Sequence, residues 1–244
     1  MGKINYSTYS GVKKRLLEIF RKESFPNNRL PSEAELSSRL GVSLVTLRES
    51  LLMLAMEGFI TKKHGAGNFV HPSALDPKMR IDLVNSFSEM LELSGYKTEY
   101  KLVQHYIEPA SITLAAQLGI TTGANIFVAE WLYTADGKNT IHSINRIPEA
   151  MLALGIPAEI PNISIDDFLW ELCRKETSHA ISKQIPLLAD KKLRDLFDLK
   201  TPTAVLKWEQ VFYSVQDEKL CFNEVFFHPE ICILSSLRNR YFRE

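Results

Sequence analysis

LPSEAELSSRLGVSLVTLRESLLMLAMEGFITKKHGAGNFV, residues 30–70, determines the architecture of the amino-terminal part of this chain. Ser32 and Glu35 have the spacing of a capping box, in which each side chain accepts a hydrogen bond from the other residue's backbone N–H. A helix therefore begins near Ser32. Gly41 ends it, because glycine readily adopts the left-handed conformation of a sharp turn. Since Ser43 can cap a second helix, the pattern predicts two short helices joined by a tight turn.

The second helix is predicted to be amphipathic. Apolar side chains recur along it at steps of three, four and three residues, at Leu44, Leu47, Leu51 and Leu54. This periodicity predicts a stripe that packs into a core. Val45, Arg48 and Glu49 are predicted to point away from the core, with Thr46 at the flank. In a helix-turn-helix motif, the residues at the start of the second helix read base edges in the major groove.

Two short strands, Phe59 to Lys63 and Asn68 to His71, are predicted to flank a turn with two glycines. Glycines at such a turn let the backbone approach a phosphate or a minor groove closely, and the adjacent lysines and histidine supply hydrogen-bond donors. Two helices followed by a basic hairpin form a winged helix-turn-helix, so we predict binding to a double-stranded DNA operator. The candidate DNA-binding residues from this pattern are Val45, Thr46, Arg48, Lys62, Lys63, His64, Gly65 and Gly67.

The charge distribution agrees with this prediction. The whole chain is neutral, with 29 basic and 29 acidic residues. Up to Leu75, however, eleven Lys/Arg stand against six Glu, a net charge of +5 that leaves −5 for the remainder. Such an asymmetry is expected where one domain neutralises phosphates. The alternative is a small helical domain with a solvated basic face.

Additional apolar side chains lie outside the leucine stripe of the second helix, at Leu52, Met53 and Met56. Exposed apolar surface of this kind usually marks a contact. The alternative is that these side chains pack against a preceding helix, which the spacing of apolar residues over 12–20 predicts.

A linker follows the predicted hairpin. Two prolines and a lack of periodicity in residues 71–77 interrupt any helix or strand. We therefore expect a DNA-binding domain over 1–71, a linker over 72–78 and a second domain over 79–244. The second domain is long enough to have its own core.

The second domain contains two similar halves, each with a strand, a helix and a hairpin. Glu130 of the first half matches Glu209 of the second, and Asp136 matches Asp217 at nearly the same offset. The predicted strands are Tyr100 to Ile107, Ile126 to Tyr133, Thr140 to Ile147, Ile181 to Leu188, Val205 to Ser214 and Leu220 to Phe227. They predict an α+β domain with one six-stranded antiparallel sheet. Helices are expected over Ser111 to Leu118, Asp166 to Lys175, Asp190 to Phe197 and, leading the domain, Met79 to Leu93.

Several classes of protein lack support in the sequence. With no apolar run of membrane length and no signal-peptide pattern, we expect a cytoplasmic protein without a membrane partner. Cys173, Cys221 and Cys232 lack metal-ligand spacing, and neither a metal nor another cofactor is expected. No acid–base pair or nucleophile constellation argues for an enzyme.

The run over residues 30–70 resembles the DNA-binding domain of the GntR family of bacterial transcriptional regulators, whose pattern reads LPSERELA, then LGVSRxTVRxAL, then EGxIxxxxGxGTFV. The resemblance implies DNA contacts by Ser43, Thr46, Arg48, His64, Gly65 and Gly67. Ala34 and Leu44 stand where the family usually has arginine. Because an arginine–guanine pair contributes about 1–3 kcal/mol of discrimination, we expect a different or weaker operator recognition.

The remainder of the chain resembles the effector-binding (UTRA) domain of the HutC-type subfamily of these regulators, which shares its fold with chorismate lyase. The resemblance lies in NSFSEM (85–90), PAS (109–111) and ADG (135–137). It implies that Asn85 to Phe87 binds an anionic effector group at a helix start. Members of the subfamily that respond to sugar phosphates carry arginines at the two positions that Trp131 and Tyr133 occupy in this chain. They carry a glutamate at the position of Ser143. This chain lacks all three, so we expect a less charged or aromatic-stacking effector.

Candidate effector-binding residues follow from that resemblance and from the hairpins. They are Asn85, Ser86, Phe87, Trp131, Tyr133, Ser143, Asn145 and Glu224. Core packing is the alternative role for the aromatic members, and solvent exposure is the alternative for Asn145 and Glu224. The leading prediction is a homodimeric repressor whose operator binding a small-molecule effector modulates. A constitutive DNA-binding regulator with a vestigial pocket and a lyase-like enzyme are the alternatives.

Overall fold

A computed structural model describes residues 6–83, 86–156, 160 and 164–238. The chain divides into two compact units, Met1–Val84 with Leu234–Glu244, and Asn85–Ile233. Each unit has its own buried cluster of apolar side chains. These limits differ from the expected division at a linker over 72–78.

The first unit is a three-helix domain followed by a hairpin. Its helices are α1 (Tyr6–Lys22), α2 (Glu33–Leu40) and α3 (Leu44–Met56), and its strands are β1 (Ile60–Lys63) and β2 (Gly67–Val70). Ser32 caps α2, because its Oγ accepts a hydrogen bond from the Glu35 N–H at 3.2 Å. Gly41 takes the left-handed conformation (φ 64°) between α2 and α3. The helix-turn-helix and the antiparallel hairpin are therefore confirmed.

The core of this unit confirms most of the leucine stripe. Leu47, Leu51 and Leu54 are fully buried, together with Leu16 and Leu36. Leu44 is not part of the core: it is the first residue of α3, and 41% of its surface is exposed. Its predicted burial is wrong, because the chain has only begun its first helical turn at that position.

Residues after the hairpin also belong to the first unit. Arg80 is buried, its guanidinium donates to the Glu57 carbonyl oxygen at 2.8 Å, and it lies 4.7 Å above the Phe59 ring. Arg80 also forms a parallel bridge with Ser235. The predicted helix over Met79 to Leu93 is therefore wrong in its first part, since α4 comprises only Phe87–Leu93.

The second unit is built on one six-stranded antiparallel sheet, which confirms the predicted fold class. Its elements after α4 are β3 (Thr98–Pro109), α5 (Ile112–Leu118), β4 (Asn125–Ala135), β5 (Lys138–Pro148), α6 (Ile165–Cys173), β6 (Thr177–Leu188), α7 (Lys191–Phe197), β7 (Ala204–Ser214) and β8 (Lys219–Phe227). The strand order is β3-β4-β5-β8-β7-β6. The two hairpins thus meet in the middle of the sheet, where β5 pairs with β8.

Cross-strand pairs define the two faces of this sheet, since directly opposed residues point to the same side. Trp131, Ser143, Val225 and Trp208 are opposed across the four central strands and lie on what we term the amide face. Apolar residues of α6, such as Phe168, pack on this face. Glu130, Ile144, Glu224 and Glu209 define the opposite, ionic face. There, apolar residues of α5 and α7 pack against the sheet.

Candidate functional site

The amino-terminal turn of α3 presents a mixed polar and apolar surface. The Thr46 N–H donates to Ser43 Oγ at 3.1 Å, and the two hydroxyl oxygens are 2.9 Å apart. Ser43 is thus the cap of α3, and its hydroxyl is bonded within the turn. Val45 projects away from the core with 64% of its surface exposed, next to the exposed Leu44.

Arg48 lies one turn further along α3 and is bound to an acidic residue of α2. Its Nε donates to Glu33 Oε2 at 2.7 Å, and Lys62 Nζ lies 3.8 Å from the other carboxylate oxygen. The hydrogen bond from Arg48 holds the pKa of Glu33 below its usual value. Glu33 therefore connects the recognition helix to the hairpin through one carboxylate.

The hairpin and the start of α2 enclose a cleft of about 650 Å³. It is lined by Arg29, Leu30, Pro31, Ser32, Glu33, Lys62, Lys63, His64, Gly65, Gly67 and Asn68. Gly65 and Gly67 have positive φ values of 71° and 106°, a backbone conformation that residues with a side chain rarely adopt. A Cβ at Gly67 would lie 3.3 Å from Arg29 Nε. The absence of a side chain at Gly67 therefore leaves room for Arg29 beside the hairpin.

Most of the predicted DNA-binding residues lie in this cleft or next to it on α3. The cleft collects Lys62, Lys63, His64, Gly65 and Gly67, and Glu33 joins it to Arg48. Arg29, which also lines the cleft, was not among the residues predicted from the sequence. Its position directly before the LPSE run was the available signal, since α2 and the hairpin meet there.

On the amide face, aromatic side chains gather around Phe87 at the start of α4. Its ring contacts those of Tyr133, Trp208 and Phe227 edge to face, with centroids 5.5 to 6.4 Å apart. Tyr100 stacks on Tyr133 with centroids 5.5 Å apart. Burial raises the pKa of the Tyr133 phenol. The aromatic cluster thus brings predicted residues from α4 and β4 together.

Beside this cluster lies a buried group of uncharged polar side chains, which we term the amide cluster: Ser143, Asn145 and Asn223. Asn223 Nδ2 donates to Ser143 Oγ at 2.9 Å and to Asn145 Oδ1 at 2.6 Å. All three residues are almost completely buried. Trp208, on the neighbouring strand, has an indole N–H that is buried and has no hydrogen-bond partner among the described residues. Neither Asn223 nor Trp208 was among the candidate effector-binding residues predicted from the sequence.

Glu224 does not join this group, because it lies on the ionic face. Its carboxylate accepts from Arg146 at 2.6 Å and from Lys207 at 3.2 Å. Adjacent residues of a strand point to opposite faces, so Asn223 occupies the position on the amide face. Ser86 caps α4 by accepting from the Glu89 N–H at 3.1 Å, and Asn85 lies outside the described residues.

The ionic face contains a second buried network around Glu130. Its carboxylate accepts from Gln104 at 2.9 Å and from the Tyr106 hydroxyl at 3.1 Å, and it lies 3.1 Å from His142 Nε2. Burial opposes ionisation of Glu130, but the hydrogen bond from Gln104 and the neighbouring His142 lower its pKa overall. Burial also lowers the pKa of His142, which favours the neutral ring.

Metal binding and membrane insertion find no support in the part of the chain that the structure describes. No three His, Cys, Asp or Glu side chains there lie close enough together to hold a metal ion. None of its helices combines the length and the apolar character needed to cross a bilayer. The three cysteines are buried and unpaired.

A winged helix-turn-helix joined to a separate sheet domain with a buried polar and aromatic cluster defines a two-domain DNA-binding regulator. Residues 8–70 match the gntR family of bacterial regulatory proteins, and residues 93–231 match the UTRA domain. The chain therefore belongs to the GntR family of transcription regulators that carry a UTRA effector-binding domain. The predicted family and function class are confirmed.

Individual relatives agree with this assignment. The HTH-type transcriptional regulator YurK of Bacillus subtilis is 24% identical over 216 residues, which cover 87% of each chain. The histidine utilization repressor of Pseudomonas putida is 28% identical over 193 residues, covering 78% of this chain and 71% of that protein. The crystal structure of a possible transcriptional regulator, YydK, from Bacillus subtilis has a TM-score of 0.73 at 17% identity. The structural match covers 95% of this chain and 99% of YydK, which supports the assignment of the fold.

Proposed function

We propose that this regulator is a repressor that binds its operator as a homodimer and releases it when a small molecule binds on the amide face. Twofold protein symmetry matches a twofold operator, whose half-sites lie about 34 Å apart or a multiple of that distance. Because a bacterial regulator must reach DNA in the cytoplasm, the proposed location is the cytoplasm. The proposed DNA contacts are Ser43, Val45, Thr46, Arg48, Arg29 and the cleft residues of the hairpin.

The main support for an effector site on the amide face is the amide cluster. Buried amides and hydroxyls form hydrogen bonds in the free protein, and a ligand can exchange for those bonds. The aromatic rings next to them offer stacking surfaces, and the Trp208 indole N–H is an available donor. We therefore propose Ser143, Asn145, Asn223, Trp208, Tyr133 and Trp131 as the effector-binding residues. Glu224 is not proposed, because it lies on the opposite face and is bound to Arg146 and Lys207.

The family to which the chain belongs consists of transcription regulators, and its named relatives are regulators and repressors. We accordingly propose that the lyase-like sheet domain serves as a sensor and performs no turnover. The proposed effector is uncharged or aromatic, because neutral amides and aromatic rings dominate the amide face. Such a sensor needs no cofactor, and the proposal includes none.

A thermal-shift screen of the full-length protein against sugars, amino acids and aromatic metabolites tests the proposal. We expect at least one ligand to stabilise the protein and also to release it from an operator obtained by selection from random duplexes. The Asn223→Ala variant should lose the ligand-induced shift. Asn139→Ala is the matched control, because the Asn139 amide donates to the Leu196 carbonyl oxygen away from the cluster.

Two results would contradict the proposal at different points. A protein that stays on its operator with every stabilising ligand is a constitutive regulator with a vestigial pocket. A ligand that stabilises Asn223→Ala as well as wild type binds elsewhere. Analytical ultracentrifugation with and without the operator tests the homodimer.

A further inference from the structure

The recognition helix begins with two exposed apolar side chains, Leu44 and Val45. They expose 41% and 64% of their surfaces, whereas Leu47, in the next turn, is fully buried. The core of the first unit is therefore complete without them. A branched aliphatic pair at this position is unusual, because the residues at the start of a recognition helix face the base edges of the major groove.

The polar groups of the same turn are already engaged. The Ser43 hydroxyl accepts from the Thr46 N–H and lies 2.9 Å from the Thr46 hydroxyl. Arg48, one turn along, donates its Nε to Glu33. Leu44 and Val45 therefore give this turn an exposed apolar part, and Arg48 follows them on the same helix.

The major groove offers one apolar feature to such a surface. Guanine, cytosine and adenine present hydrogen-bond donors and acceptors at their edges, whereas thymine also presents a C5-methyl group. An aliphatic side chain against a wholly polar edge would leave those donors or acceptors without partners, which is unfavourable. Contact with a methyl group buries apolar surface on both sides.

We propose that Leu44 and Val45 read thymine C5-methyl groups, so that the operator carries thymine at the base pairs that face the first turn of α3. This inference rests on the proposed DNA binding by the first unit, and it names the base chemistry that this unit selects. Arg48 and the hairpin supply polar and phosphate contacts, while the aliphatic pair supplies discrimination by shape and methyl burial.

Deoxyuridine provides a direct test, because it keeps the base pairing and the O4 acceptor of thymine and removes only the methyl group. The full-length protein first selects its operator from random duplexes. Each thymine of one half-site is then replaced by deoxyuridine, and the dissociation constants are measured at fixed salt. We expect a loss of about fourfold at one or two positions, the size expected for one buried methyl group.

Variants of the protein connect the loss to these two side chains. Leu44→Ala and Val45→Ala should each bind the thymine operator more weakly and become insensitive to deoxyuridine at one position. Leu52→Ala is the matched control: Leu52 lies about two turns further along α3 and exposes 46% of its surface. The control should keep the wild-type response. Melting temperatures of all variants check that the fold is intact.

The outcomes separate this inference from the proposed function. A selected operator that tolerates deoxyuridine at every thymine overturns the methyl readout while leaving DNA binding established. A deoxyuridine effect that persists unchanged in both alanine variants overturns the assignment to Leu44 and Val45. If no duplex is enriched in the selection, DNA binding and the methyl readout fail together.

Discussion

Each compact unit contains a cluster of charged side chains with similar bond lengths but different surroundings. In the Glu33 cluster of the first unit (Glu33, Arg48 and Lys62), the Arg48–Glu33 bond is 2.7 Å long and 59% of the arginine side chain is exposed. The Arg146 cluster of the ionic face contains Arg146, Glu108, Glu224, Lys207 and Glu209. There, the Arg146–Glu224 bond is 2.6 Å long and the arginine side chain is only 17% exposed.

The difference separates charges that hold a fold from charges that bind a partner. Removing a buried charge leaves its partners in a poorly solvated environment, so its loss is expected to lower stability. Exposed ion pairs contribute little to stability, because water and salt screen them. Their side chains can therefore exchange one partner for another, such as a phosphate. The two clusters should respond in opposite ways when stability and DNA affinity are both measured.

The largest expected effect is on the Arg146 cluster. Arg146 bridges Glu108 and Glu224, and although burial disfavours its charged form, these carboxylates raise its pKa overall. Arg146→Gln should lower the free energy of unfolding by about 3 kcal/mol, because two carboxylates lose their cation. Urea unfolding measures this change. DNA affinity, expressed per folded molecule, should stay at the wild-type value.

Arg174→Gln is the control for that variant. Arg174 pairs with Glu171 at 2.9 Å, but both side chains are about half exposed. Its loss should change stability by at most about 0.5 kcal/mol. Equal effects of the two substitutions would show that burial does not distinguish these pairs.

A smaller effect is expected from His142, which lies buried beside Glu130. Burial lowers its pKa, the nearby Lys192 and Arg146 act in the same direction, and Glu130 opposes them. The unfolded state therefore binds a proton more readily than the folded state. The stability that depends on neutral His142 is complete above about pH 6.5 and is lost as the pH falls below that value.

His142→Gln should therefore reduce the difference in unfolding free energy between pH 7.5 and pH 5.5. Glutamine can still donate to Glu130 but does not titrate. Urea unfolding at both pH values measures the difference. A variant with the wild-type pH dependence would show that His142 does not titrate differently in the folded and unfolded states.

These two regions also show which features were accessible from sequence. Helix caps, the glycine turn and the hairpin of the first unit depend on residues a few positions apart, and their spacing predicted them correctly. The exception was Leu44. Leu44 fits the apolar period but is the first residue of α3, and the period does not show whether the core extends to the start of the helix.

The face of a strand residue was harder to predict, because a shift by one position reverses it. Trp131 and Gln210, which directly follow the matched glutamates of the two halves, pair with Ser143 and Asn223 respectively. Asn223 is thus the counterpart of Ser143 in the second half. If the two halves are instead aligned at their hairpin turns, where Asp136 matches Asp217, Ser143 matches Glu224. Glu224 is one position beyond the true counterpart. Bulges near both turns change the register, and single-sequence periodicity does not show them.

The exposed charges should affect DNA binding more than stability. Lys63 lies on the hairpin, 5.4 Å above the Phe69 ring. Lys63→Ala should lower operator affinity roughly fivefold near physiological salt and reduce the slope of log affinity against log salt by about 0.9, the value for one phosphate contact. Gel-shift titrations at several salt concentrations measure both quantities. An unchanged salt slope would place Lys63 away from the phosphates.

The smallest expected change in stability is that of Glu33→Gln, and it is the sharpest test of the comparison. Glu33 forms a bond about as short as the Arg146–Glu224 bond, and the hydrogen bond from Arg48 lowers the pKa of Glu33. If bond length determined the energy, this variant would be as unstable as Arg146→Gln. Because Arg48 is largely exposed, we expect a loss of only about 0.5 kcal/mol. Affinity for duplexes of unrelated sequence should increase and become more salt-dependent, since Arg48 and Lys62 lose a competing carboxylate. A large loss of stability with unchanged DNA binding would instead place the Glu33 cluster in the same class as the Arg146 cluster.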